Sequence, residues 1–142
     1  MPLSEFDMIS RYFRHLSPER EDTILAIGDD AALLAIDSKQ RLLTTLLQWQ
    51  EGIDYPVSEP PAQCAQRLLQ QAVTDLQKLG GIPAWMTLSL SFQQLDEDWL
   101  TEFCKGLTPL LQQYTIQLIG GDTTQGPNTL RVQLMGLQQL TQ

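Results

Sequence analysis

Residues 61–92 read PAQCAQRLLQQAVTDLQKLGGIPAWMTLSLSF, and this stretch decides the architecture. Ala65, Leu68, Leu69, Ala72, Val73, Leu76 and Leu79 recur at spacings of three and four, which makes one apolar stripe along a helix. Pro61 stands at its start, where a missing N–H costs nothing. Gly80-Gly81 supplies the backbone freedom that ends a helix, and Pro83 follows as a stop. The period then changes from helical to alternating. Trp85, Thr87 and Ser89 alternate with Met86, Leu88 and Leu90, as in a strand over 84–92 with its two faces in different surroundings.

Working outward, Asp96 precedes a second long helix over 97–114. Trp99, Leu100, Phe103, Leu107, Leu110 and Leu111 give it an apolar face, and Pro109 inside it predicts a kink or break. Residues 115–119 read as a strand that runs into Gly120-Gly121-Asp122-Thr123-Thr124. Residues 129–137 read as a last strand, with Leu130, Val132, Leu134 and Gly136 on one side. Upstream, 41–49 is a strand candidate with Leu42, Leu43, Leu46 and Leu47 available for burial. Residues 52–61 carry one Gly and three Pro and form a loop. Two short apolar runs, 24–27 and 31–36, flank Gly28-Asp29-Asp30. Phe6, Ile9, Phe13 and Leu16 predict a short amphipathic helix ended by Ser17-Pro18, with His15 on its face. Strands alternating with two long helices predict an α/β (α+β) sandwich, with the helices on one face of the sheet.

The chain has 142 residues, 42% of them hydrophobic and 18% charged, which is the composition of one folded domain. Nothing in it approaches a membrane-spanning apolar run, and Met1-Pro2-Leu3-Ser4-Glu5 lacks the features of a secretory signal, so a cytoplasmic protein is expected. A net charge of −8 argues against binding nucleic acid through phosphate contacts and against an anionic membrane surface. It is compatible with a nucleotide held through metal ions. Cys64 and Cys104 match no metal spacing and read as reduced, buried thiols. With His15 as its single histidine, read as a face residue of the first helix, a histidine-dependent triad or a multi-histidine zinc site is nearly ruled out.

Four carboxylates sit where chemistry can use them. Asp29 and Asp30 follow a glycine at the end of an apolar run, Asp75 lies on the turn beside Ala72 and Leu79, and Asp122 follows Gly120-Gly121 after a strand. Hard oxygen donors converging from separate segments can hold Mg²⁺ beside a nucleotide, and glycines let phosphate oxygens approach backbone N–H groups. Each also has an ordinary reading: a Gly-Asp-Asp turn, an exposed helix residue, a hairpin loop.

Taken together and in order, Ile27-Gly28-Asp29-Asp30-Ala31-Ala32, Thr74-Asp75-Leu76, Leu79-Gly80-Gly81-Ile82-Pro83-Ala84-Trp85 and Leu118-Ile119-Gly120-Gly121-Asp122-Thr123-Thr124-Gln125-Gly126-Pro127 resemble the N-terminal half of the thiamine-monophosphate kinase family. The resemblance covers essentially all of the chain. It implies the aminoimidazole ribonucleotide synthetase-like fold, with a mixed sheet and two long helices on one face. It further implies an ATP- and Mg²⁺-binding domain, a homodimer through the sheet face, and a family reaction in which ATP phosphorylates thiamine monophosphate to thiamine diphosphate. Carried over by position, Asp29, Asp30, Asp75 and Asp122 would be metal ligands, and Gly120, Gly121, Asp122 and Thr123 a nucleotide-binding loop. No catalytic residue is assigned.

The chain departs from the family pattern in places that matter to that chemistry. Where the family carries a metal-binding Asp after its first strands, the counterpart here is Leu47, or Leu46 if Thr44-Thr45 sets the alignment. The family's His becomes Asp54, and its Asn-Leu-Ser-Asp becomes Ala72-Val73-Thr74-Asp75. Residues 1–142 are expected to form a single domain, with the family's C-terminal domain absent. Such a domain is expected to be inactive, or only nucleotide-binding, in isolation. The alternatives are an active half that needs a separate C-terminal domain, and a purely structural dimeric interaction domain. A sheet face with exposed Leu and Val needs cover, whereas polar residues such as Gln117 and Gln133 would make the same face wettable.

Overall fold

The structure, a computed structural model, describes residues 9–27 and 31–140. Among the described residues, six strands and two α-helices carry the fold: β1 Thr23–Leu25, β2 Leu33–Leu34, β3 Gln40–Gln50, α1 Pro61–Gln77, β4 Ile82–Phe92, α2 Glu97–Gln113, β5 Gln117–Gln125 and β6 Thr129–Gln139. Four strands form one mixed sheet in the order β3-β6-β4-β5. The β3/β6 and β6/β4 pairs are antiparallel and β4/β5 is parallel. The strand-to-strand connection through α2 forces that parallel pair, because reversing direction twice needs a crossover element.

Both helices lie on one face, as the stripe predicts. Leu68, Leu69, Ala72, Val73 and Leu76 of α1 pack with Leu100, Phe103, Leu107 and Leu111 of α2 against Met86, Leu88, Leu90, Leu130, Val132 and Leu134 of the sheet. At the helix–helix contact Gly106 is obligatory: a Cβ there would stand 2.3 Å from the Ala62 carbonyl oxygen. The apolar stripe of α1 stops one residue class earlier than the spacing suggests. The helix ends at Gln77, Gly80 takes φ +75°, and Gly81 N–H donates to the Leu76 carbonyl at 2.9 Å, so Leu79 lies beyond the cap and is exposed. In α2 the Asp96 carboxylate accepts from Asp98 and Trp99 N–H groups at the N-terminus. Pro109 does not break this helix. It sits on the solvent side, where its ring and missing N–H meet water and not the core.

Among the described residues, the opposite, open face of the sheet is covered at one end. The β1–β2 pair lies over Ala84, Trp85, Ile119 and Leu137, with Ala26 and Leu34 completing a small second core. Trp85 donates its indole N–H to Thr23 at 2.8 Å. In β3, Leu43 and Leu47 face the helices, while Leu42 and Leu46 are exposed on the open face. Of the first predicted helix, the described part is a single π-helical turn, Ile9–Phe13, with Phe13 buried; His15 lies in the turn after it, exposed. Phe6 lies outside the described residues. Cys64 and Cys104 are both buried and unpaired by any disulfide, as expected. No helix among the described residues is long and apolar enough to cross a membrane.

Candidate nucleotide and metal site

The Gly-Gly-Asp segment is strand, not loop. β5 continues through Gly120, Gly121, Asp122, Thr123 and Thr124 to Gln125, held by parallel pairing to β4. The register shifts between Met86 and Thr87, a β-bulge that brings Gly121 opposite Leu88. At Gly121 φ is +147°, and a Cβ would fall 1.8 Å from the Leu88 carbonyl oxygen. The bulge thus requires glycine at 121 for close approach of two backbones. At Gly120 a Cβ would meet nothing within 4 Å.

Asp122 is paired with Ser89 across the parallel register and accepts a hydrogen bond from its hydroxyl. Ser89 alternates with core-facing Leu88 and Leu90, so this pair lies on the open face. The same face carries a polar net, of which the sequence singled out Gln133 as a wetting residue. Gln133 donates to Thr44 at 3.3 Å and accepts from Thr87 at 3.3 Å, and Arg131 Nε donates to Gln48 at 2.8 Å. These partners could not be read from spacing, because each contact joins residues at least 46 positions apart.

Asp75 is elsewhere. It lies half-buried on α1, on the helix side of the sheet, and accepts from Gln71 at 2.9 Å. Gln71 lines a groove of about 640 Å³ between α1 and β3, with Gln70, Thr74, Trp49 and Arg67 among its walls. The Arg67 guanidinium lies 4.5 Å from the Trp49 ring centre and bonds Glu59 at 2.8 Å. Burial pushes the Glu59 carboxyl up, but hydrogen bonds from Arg67, Cys64 and Gln63 outweigh it and leave it below its usual value.

Asp75 and Asp122 are therefore not brought together within one chain, since they belong to opposite sides of the sheet. β3 and β5 are its two edges, roughly 14 Å apart by strand spacing. Asp29 and Asp30 lie outside the described residues. Among the described residues no three His, Cys, Asp or Glu side chains converge on one point. Leu46 and Leu47 offer no donor, and Leu47 is packed against the core. Asp54 caps the turn after β3 by accepting from Gln50 N–H at 2.8 Å. The carboxylates of Asp75 and Asp122 are of the hard-oxygen type that suits Mg²⁺. On opposite sides of the sheet, the two do not form one such site among the described residues.

Residues 28–137 match the family model for AIR synthase related protein, N-terminal domain. The chain belongs to this family. Within the AIR synthase related proteins it is similar to thiamine-monophosphate kinases: it is 40% identical to that of Escherichia coli K12 over 136 residues, and 32% identical to that of Haemophilus influenzae over 136 residues. Either alignment takes in 96% of this chain and 42% of the relative, so the chain spans less than half the length of the curated relatives it matches. The crystal structure of thiamine-monophosphate kinase from Stenotrophomonas maltophilia K279a superposes with a TM-score of 0.83 at 40% identity, covering 96% of this chain and 43% of that one. AaThiL complexed with AMPPCP and TMP gives a TM-score of 0.67 at 25% identity, over 79% of this chain and 37% of that one. Hydrogenase maturation protein HypE in complex with ATP, at 19% identity and a TM-score of 0.65, shares the fold. The AIR synthase-like architecture expected from the sequence motifs is thus the one observed.

Proposed function

We propose that this chain is the nucleotide-binding and dimer-forming part of a thiamine-monophosphate kinase-like protein, and that alone it binds ATP with Mg²⁺ without phosphorylating thiamine monophosphate. The observation that carries this reading is a combination. Similarity to thiamine-monophosphate kinases runs along 96% of the chain, yet Leu46 and Leu47 stand where that family is expected to place a metal-binding Asp. Asp29, Asp30, Asp75 and Asp122 are assigned to Mg²⁺, and Gly120, Gly121, Asp122 and Thr123 to the phosphates, in a cytoplasmic homodimer joined through the open sheet face. The solved relative bound to AMPPCP and TMP supports a nucleotide as ligand. Bound Mg²⁺ would neutralise phosphate charge, which is most of what phosphoryl transfer asks for. The role left to these residues is to hold that charge in place. Asp122 is suited to it: Ser89 fixes its carboxylate, and the close approach at Gly121 fixes its backbone.

Thermal unfolding with Mg²⁺ and ATP varied independently tests this. A ligand at 100 times its dissociation constant adds roughly 2.7 kcal/mol, a rise of several degrees for a domain of this size. A shift that needs both components is the expected result. No shift at millimolar concentrations overturns nucleotide binding, and turnover of thiamine monophosphate by the chain alone overturns the inactivity.

A second reading, an active half that works with a separate C-terminal domain, is favoured by the free setting of Asp75, whose one hydrogen-bond partner among the described residues is a neutral amide. Adding the C-terminal domain of a relative in trans would then restore turnover.

A further inference from the structure

The side chains assigned to the nucleotide and its metal are all acidic or neutral: four aspartates, two glycines and a threonine. A triphosphate stays anionic after Mg²⁺ has bound it, and the chain itself carries a net charge of −8. Such a site needs a protein cation to hold the phosphates. The strands of the main sheet hold two basic residues, Arg41 and Arg131. Arg41 lies seven residues along β3 from Gln48, the register partner of Arg131, so roughly 23 Å of strand rise separates their rows. By alternation Arg41 also shares its side of β3 with core-packed Leu43 and Leu47. Arg131 is different: it is bonded to Gln48 on the open face, in the row that contains Asp122.

We propose that Arg131 is a phosphate-binding residue, placed to hold the phosphates of a nucleotide whose magnesium ion is held by Asp122. This rests on the nucleotide reading above and adds a residue to its site. In register, Arg131 of β6 stands beside Ser89 of β4, and Ser89 stands beside Asp122 of β5. Two strand spacings, roughly 9.5 Å, therefore separate the backbone of the cation from that of the acid. Ser89 occupies Oδ1 of Asp122, and among the described residues Oδ2 has no partner, so one oxygen is left for a metal. On Arg131, Nε is committed to Gln48, and among the described residues neither terminal nitrogen has a partner. Nor does Arg131 form an ion pair there, so its charge is uncompensated. The guanidinium is a flat fork whose donors match two oxygens of one phosphate. Between it and Asp122 stands only the small side chain of Ser89, and a phosphate chain anchored at both ends spans that interval. β5 is an edge of the sheet, so a nucleotide reaches the row from the side.

Isothermal titration calorimetry of the full chain with MgATP and with AMP tests this. Arg131→Gln keeps a polar side chain beside Gln48. It is expected to weaken MgATP binding at least about tenfold and AMP binding less than about threefold, because the lost contact is to the added phosphates. Arg131→Lys restores the charge without the fork and is expected to recover part of the loss. The salt dependence of MgATP affinity is expected to flatten in Arg131→Gln, since one charged contact is gone. A wild-type chain that binds neither ligand overturns the nucleotide reading itself. Wild-type binding of MgATP that Arg131→Gln leaves intact overturns the role of Arg131 alone. An equal loss for MgATP and AMP does the same, since it marks a merely structural residue. Should Arg131→Gln fail to fold, Gln48→Glu gives the decision. The new carboxylate would capture the guanidinium, so MgATP affinity is expected to fall at least about tenfold, and an unchanged affinity overturns the proposal.

Discussion

The guanidinium of Arg20 lies 5.3 Å from the centre of the Trp85 ring, and this contact ties the N-terminal segment to the centre of the sheet. The same side chain forms a two-pronged pair with Asp22, both bonds at 2.9 Å, and donates at 2.8 Å to the Thr115 carbonyl just past the end of α2. Its backbone N–H donates to Gln117 at the start of β5. Gln117, read from the sequence as a residue that would wet the sheet face, is in fact buried in this junction. One residue thus joins the β1–β2 pair, the exit of α2 and the first residue of the strand that carries Asp122.

Arg20→Ala should accordingly destabilise the fold by about 1–3 kcal/mol, the range for losing charge-assisted hydrogen bonds at a partly buried site. Arg20→Lys keeps the charge but not the fork, so it should recover only part of the loss. Urea unfolding midpoints of the two variants check this. Equal midpoints for wild type and Arg20→Ala would refute the junction's role.

The pair also predicts a pH dependence. The hydrogen bond from Arg20 holds the Asp22 carboxyl below its usual value of 3.8. A carboxylate with a lowered folded-state pKa stabilises the fold above the unfolded value. That contribution is lost as the pH falls from 3.8 through the folded value. Unfolding free energy should therefore drop in this acid range, and the part due to Asp22 should vanish in Asp22→Asn. An Asp22→Asn variant with an unaltered acid slope would contradict it.

Burial pushes the Cys64 thiol up to about 12, with the neighbouring Glu59 adding to the shift, and burial alone does the same for Cys104. Thiolate is the reactive form. Neither cysteine should react with a disulfide reagent at pH 8 until the protein is unfolded. Fast labelling of one thiol per chain under native conditions would show that α1 or α2 opens locally.

Gly121 and Gly120 are adjacent but should respond oppositely to alanine. At Gly121 the added carbon collides with the Leu88 backbone, and neither strand can yield without breaking the parallel ladder. Gly121→Ala should cost at least about 2–3 kcal/mol. Gly120→Ala meets open space and should change monomer stability by less than about 0.5 kcal/mol. Chemical unfolding of both variants decides the matter.

These neighbours also mark where the sequence was legible. The helix stripe, the alternation in β4 and the face assignment of β6 were readable because burial repeats at a local period. The glycines of β5 looked like a loop because glycine is a poor strand former in isolation. What makes them strand is the neighbouring β4, and partners distant in sequence are invisible to local patterning. The carboxylates show the same limit. Asp75 and Asp122 each stand out locally, but their separation follows from strand order, which puts β5 at an edge and α1 on the other face. Ser89, Gln48 and Arg131 carried no local signal at all and gain meaning only from register.

Leu47 offers the sharpest test of the proposed function. It faces the helix layer and packs on the core, whereas Leu46 points out over the open face. The two positions compete for the family's metal-binding Asp, and they predict different outcomes. Leu47→Asp replaces packed apolar surface with a half-buried charge and should cost about 1–3 kcal/mol without metal. If residue 47 is the true counterpart, Mg²⁺ and ATP together should offset that loss, so the variant should show a larger ligand-induced rise in Tm than wild type. Leu46→Asp sits in water, so it should cost little stability and leave the Mg²⁺–ATP shift as in wild type. A larger ligand shift in Leu46→Asp than in Leu47→Asp would move the missing ligand to the open face. It would then place the metal on the side of the sheet that holds Asp122 and away from Asp75.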